Sequence, residues 1–137
     1  MLALHAAGLD IVPGMAKNIP SASRRPADHG IERFAPPDLR IPRKLGGGKL
    51  KEFVVRETRT RTVLRYSVAY INTQAFAGDN GRVLGYYDAH GRWHRHFLGV
   101  ETDMALVPYE ELLMMFDRQW RVLALQFVNG EELKLDP

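Results

Sequence analysis

The stretch from Val63 to Leu98 restricts the fold more than any other part of the chain. "TVLRYSVAYINTQ" sets Leu64, Tyr66, Val68 and Tyr70 in alternation with Arg65, Ser67, Ala69 and Ile71. That period of two belongs to a strand with one covered face. "AFAGDNGR" follows as a loop in which Asp79-Asn80-Gly81 is turn chemistry, since Asn and Gly accept positive φ readily. "RVLGYYD", the turn "AHGR" and "WHRHFLG" then form a hairpin. Upstream, "KLKEFVVRETRTR" is β-prone and reads as an edge strand whose charges discourage further pairing. "VETDMALVP" reads as a connection.

Such a meander must bury its apolar face against something. "PYEELLMMFDRQWRVLAL" supplies a helix opened by Pro108, with Tyr109, Leu112, Leu113, Phe116, Trp120 and Leu123 on one stripe. Glu110 and Glu111 suit the positive end of its dipole, and Arg118 and Arg121 lie toward the other end. "LQFVNGEELKL" beyond it reads as a terminal hairpin or a loose tail around Asn129-Gly130. The expected class is α+β: a three- to four-stranded antiparallel meander with one long C-terminal helix packed on one face.

Residues 1–48 carry no period of either kind and hold six of the eight prolines. They read as a disordered, Pro/Arg-rich basic tail that ends at a flexible hinge, "RKLGGGKL", with residues 49–137 forming a single α+β domain. Met15 opens a second plausible reading frame. Residues 1–50 hold eight Lys/Arg and four Asp/Glu; of the chain's 19 and 16, this leaves eleven and twelve for the body. The basic character therefore sits in the tail. A mildly acidic body argues against strong non-specific nucleic-acid binding, which needs clustered positive charge. The start lacks the basic first region and long apolar centre of a secretory signal, and no apolar run reaches the ~18–20 residues that cross a bilayer. The chain has no cysteine. That excludes disulfides and thiolate metal sites and fits a cytoplasmic protein.

With His90-Gly91 as the loop of the hairpin, Ala89 opposes Arg92, Asp88 opposes Trp93, Tyr87 opposes His94 and Gly85 opposes His96. One face then holds Leu84, Tyr86, Asp88, Trp93, Arg95 and Phe97, and it should lie against the helix, with Asp88 placed to pair with Arg95. The other holds Val83, Gly85, Tyr87, Arg92, His94, His96 and Leu98, joined by Arg65 and Ser67 of the preceding strand. Gly85 opposite His96 would leave room for a ligand.

Three chemistries fit that open face. In the first, His94 and His96 cleave a phosphodiester without a metal or cofactor. One imidazole takes a proton and the other gives one, both with pKa values near neutrality. Arg65 and Tyr87 assist as catalytic groups, and Arg92, His90 and Asp88 contact substrate. In the second, His94 and His96, with His90 or Asp88, hold a divalent metal, although no fourth ligand stands out. In the third, the cluster is a docking surface. No phosphate-cradling loop or nucleophile elbow is present.

The runs "RYSVAYI", "GDNGRVLGYYDAHGRWHRHF" and "YEELLMMFDRQW" together resemble the small toxins of the TumE type, bacterial proteins encoded beside a helix-turn-helix antitoxin. The positions that carry the resemblance are Tyr87, Asp88, His90, Gly91, His94 and His96, and it spans roughly residues 62–123. "YYDAHG" lacks the asparagine expected between aspartate and alanine. The resemblance implies a toxin–antitoxin component whose partner is a DNA-binding antitoxin and whose activity is directed at RNA. The competing expectation is a non-enzymatic interaction module.

Overall fold

The computed structural model describes residues 30–89 and 91–136 of the chain. Seven strands form one antiparallel sheet: β1 (Ile31–Phe34), β2 (Leu39–Arg40), β3 (Lys49–Glu57), β4 (Val63–Ile71), β5 (Arg82–Ala89), β6 (Arg92–Phe97) and β7 (Val100–Met104). One helix, α1 (Tyr109–Val128), follows. The spatial order is β1-β3-β4-β5-β6-β7, with β2 also paired to β3. The α+β class and the long C-terminal helix agree with the expectation, but the sheet has more strands than the three or four expected.

The additional strands have distinct causes. β3 is not an edge: Leu50 pairs with Tyr70 of β4 on one side and with Leu39 of β2 on the other. Several of its charges meet specific partners. Arg56 Nε donates to Glu32 of β1 at 2.9 Å and its guanidinium lies 5.4 Å from the Phe34 ring, so β1 is clasped to β3 by charge and by a cation–π contact. Residues 31–48, read as tail, therefore form two short strands and a 3₁₀ turn at Arg43–Leu45, and Ile41 is buried in the core. Residues 1–29 lie outside the described residues.

The triple glycine is a packed turn rather than a hinge. Gly46, Gly47 and Gly48 all have positive φ, and a Cβ on Gly48 would stand 2.4 Å from the Ile71 carbonyl oxygen. The buried Asn72 side chain locks this turn, donating to the Gly46 carbonyl at 2.9 Å while its Oδ1 accepts from the Gln74 and Ala75 amides. "VETDM" is strand β7 instead of a connection, and the described residues after the helix form no strand: α1 runs to Val128. Asn129-Gly130 caps it, and Lys134 returns to bond Gln126.

α1 covers one face of the sheet. Leu112, Leu113, Phe116, Trp120 and Leu123 are buried, as their spacing predicts. Phe116 meets Tyr86 edge-on, Trp120 lies 5.9 Å from Tyr70, and Tyr109 meets Tyr66 edge-on at 5.0 Å. Tyr86 donates to Gln119 and Trp93 to the Val107 carbonyl, so these two buried aromatics satisfy their polar ends. No helix or strand among the described residues lies over the opposite face. No described helix is long and apolar enough to cross a membrane.

Candidate functional site

The hairpin β5–β6 has the register that its two-residue loop requires: Asp88 opposite Trp93, Tyr87 opposite His94, Gly85 opposite His96. Because facing residues share a side of the sheet, Tyr87, His94 and His96 come together on the open face. Ser67 joins their row through its pairing with Tyr87. The Tyr87 ring stacks on both imidazoles, 4.9 Å from His94 at an interplanar angle of 16° and 5.4 Å from His96 at 26°. Three rings, each imidazole within 26° of the Tyr87 plane, thus form one platform.

The other expected site residues are dispersed. Asp88 faces the helix side, where its Oδ1 accepts from the Tyr66 amide at 2.9 Å instead of pairing with Arg95. The Tyr66 amide takes that carboxylate, while the Arg95 side chain engages the Tyr86 hydroxyl. The Arg65 and Arg92 side chains are exposed and make no hydrogen bond or ion pair among the described residues. His90 lies outside the described residues.

Four residues not singled out by the sequence complete the site. β7 pairs with β6 so that His94 faces Asp103 and His96 faces Glu101. Asp103 Oδ1 lies 2.8 Å and Glu101 Oε2 3.2 Å from His94 Nδ1, and Glu101 Oε1 lies 3.6 Å from His96 Nε2. Tyr87 donates a long 3.4 Å bond to Glu101. At the other end, Arg82 Nη2 stands 3.1 Å from His96 Nδ1 while Nε and Nη2 grip Asp79 at 2.8 and 3.1 Å. The hydrogen bonds from Arg82 hold the Asp79 carboxyl below its ordinary range.

Arginine can only donate, so His96 Nδ1 accepts and its proton resides on Nε2, directed toward Glu101. Burial, then the Arg82 charge, pushes the His96 imidazole below its ordinary value. Arg82 reaches His96 by crossing Gly85: a Cβ there would stand 2.7 Å from Arg82 Cδ. The space expected to admit a ligand beside Gly85 is filled by that side chain.

The signal for β7 was a turn hidden by its first residue. Leu98-Gly99 is a two-residue turn with both φ positive, 49° and 83°. Leucine rarely adopts that conformation, so "FLGV" does not look like one. Once the turn is placed, the alternation of Glu101 and Asp103 opposite His96 and His94 follows.

A scan against protein-family models gives no match, and searches of curated proteins and of solved structures give none either.

Proposed function

We propose that the open face binds and acts on RNA, as the toxin component of a bacterial toxin–antitoxin pair with a helix-turn-helix antitoxin as partner. The observation that carries this reading is the three-ring platform of Tyr87, His94 and His96 on an uncovered sheet face. Bases stack on aromatic platforms of that kind with little regard to sequence. The imidazoles stand within the platform, where proton transfer to and from a ribose hydroxyl or a leaving oxygen requires them. Arg92 and Arg65, exposed on the same face, are free to meet phosphates. The toxin identity and the antitoxin rest on the sequence resemblance alone.

A non-enzymatic interaction module is the second reading, favoured by Glu101 and Asp103. Exposed carboxylates beside the rings suit a cationic protein partner better than a phosphate. The two separate in one experiment with the full chain and a fluorescent single-stranded RNA of mixed sequence. Tyr87→Ala should weaken RNA binding by about 1–3 kcal/mol, the worth of one stacked base. No RNA binding by the wild type, or binding indifferent to Tyr87→Ala, leaves the interaction module as the account of this face.

A further inference from the structure

We propose that His94, Glu101 and Asp103 form a site for one first-row divalent metal ion, manganese or zinc in class. The site lies on the same open face but does not depend on the RNA reading.

Three ligand atoms converge there: His94 Nδ1, a Glu101 oxygen and an Asp103 oxygen, all within 4.8 Å of one another. The two distances from Nδ1, 2.8 and 3.2 Å, bracket the spacing of adjacent ligands on one ion. Two ligands each ~2.1 Å from a metal and at right angles to each other lie about 3.0 Å apart. One imidazole with two carboxylates is also the mixed donor set that first-row ions accept, whereas magnesium and calcium favour oxygen alone.

Proton-mediated pairing accounts less well for this arrangement. His94 Nδ1 is buried, yet neither carboxylate meets it along a hydrogen-bond direction. A proton on Nδ1 lies along one line in the ring plane and cannot serve both oxygens, whereas an ion set between the three atoms serves all of them. The two carboxylates also repel each other on one side of a strand. Among the described residues no lysine or arginine pairs with either one, and Arg82 is already engaged by Asp79 and His96. Charges on an edge strand discourage unwanted pairing; that explains why β7 carries acids, but not why both close on one imidazole nitrogen.

The surroundings orient the ligands. Tyr87 donates to the Glu101 oxygen nearest His94, and the His96 Nε2 proton points at the other. Such outer contacts fix a ligating carboxylate and raise affinity. β7 is the last strand of the sheet, so the outer side of the site is open to the ion and its waters. Glu101 and Asp103 are 48% and 55% exposed, so neutral replacements there leave the fold intact.

The test is a titration of the full-length protein with Mn²⁺ at neutral pH, followed by electron paramagnetic resonance of the free ion and by calorimetry. Zn²⁺ runs in parallel and Mg²⁺ serves as the contrast. One equivalent of Mn²⁺ or Zn²⁺ should bind. Asp103→Asn, Glu101→Gln and His94→Phe should each weaken it at least tenfold, and Asp136→Asn should leave it unchanged. Circular dichroism confirms that each variant is folded. The proposal is overturned if the wild type takes up neither ion at one equivalent, or if Asp103→Asn and Glu101→Gln bind as the wild type does. Because the readout is metal occupancy, its failure is distinct from a failure of RNA binding.

Discussion

The two faces of the sheet use the same residue types to opposite ends. On the covered face, Glu52 is buried beneath α1 and accepts a hydrogen bond from Tyr66. Burial pushes its carboxyl up to about 7, with Tyr66 only partly restoring it, and among the described residues no cation pairs with it. Tyr66 is pushed up in turn, by burial and by its proximity to Glu52. On the open face, Glu101 and Asp103 stand at the solvent edge and turn toward imidazoles. A carboxylate in the core is a titrating liability held in place by packing. A carboxylate beside histidines on an exposed strand is a ligand or a partner. Stability should therefore live on one face and function on the other.

The largest effect expected from breaking that division is on the covered side. Trp120 is fully buried against Tyr70, with Arg121 over its ring. Trp120→Ala should cost about 3–5 kcal/mol in urea unfolding, and the open-face cluster should be lost only with the whole fold.

Next comes the pH dependence that Glu52 imposes. Its carboxyl titrates near 7 in the fold and near 4.5 when unfolded, so the folded state holds the extra proton between those values. Stability should fall as pH rises through that window, by up to about 3 kcal/mol at roughly 1.4 kcal/mol per pH unit. Urea midpoints at pH 5 and pH 8 check this, and Glu52→Gln should flatten the difference.

A smaller change sharpens the open side. Gly85→Ala places a methyl against the Arg82 arm, which is flexible enough to move. The Arg82–His96 contact should open, seen as a shift of the His96 ring resonances in NMR, at a cost near 1 kcal/mol. The smallest effect belongs to Val100, which is 64% exposed on β7. Val100→Thr should stay within about 0.5 kcal/mol by the same unfolding assay.

Much of this division is legible in the sequence where contacts are local. A two-residue loop at His90-Gly91 dictates the β5–β6 register, and with it the gathering of Tyr87, His94 and His96. The α1 stripe is legible for the same reason, because helical spacing is set within a few residues. What escapes is non-local or disguised. β1 and β2 are too short to show a period and are flanked by Pro36, Pro37 and Pro42, yet Arg56 holds β1 through Glu32 and Phe34 across more than twenty residues, and β2 pairs with Lys49 and Leu50 of β3. The glycines of 46–48 read as flexibility because nothing in the local sequence reveals the Ile71 carbonyl they must clear. Glu101 and Asp103 acquire meaning only when a leucine adopts positive φ and folds β7 back beside the histidines.

The claim that function resides on the open face is tested most directly by induced expression in a bacterial host. The wild type is compared with His94→Ala/His96→Ala, and both purified proteins are melted to confirm equal folding. The account predicts growth arrest by the wild type alone, with the two melting temperatures alike. Arrest by both proteins, or by neither while both are folded, contradicts it.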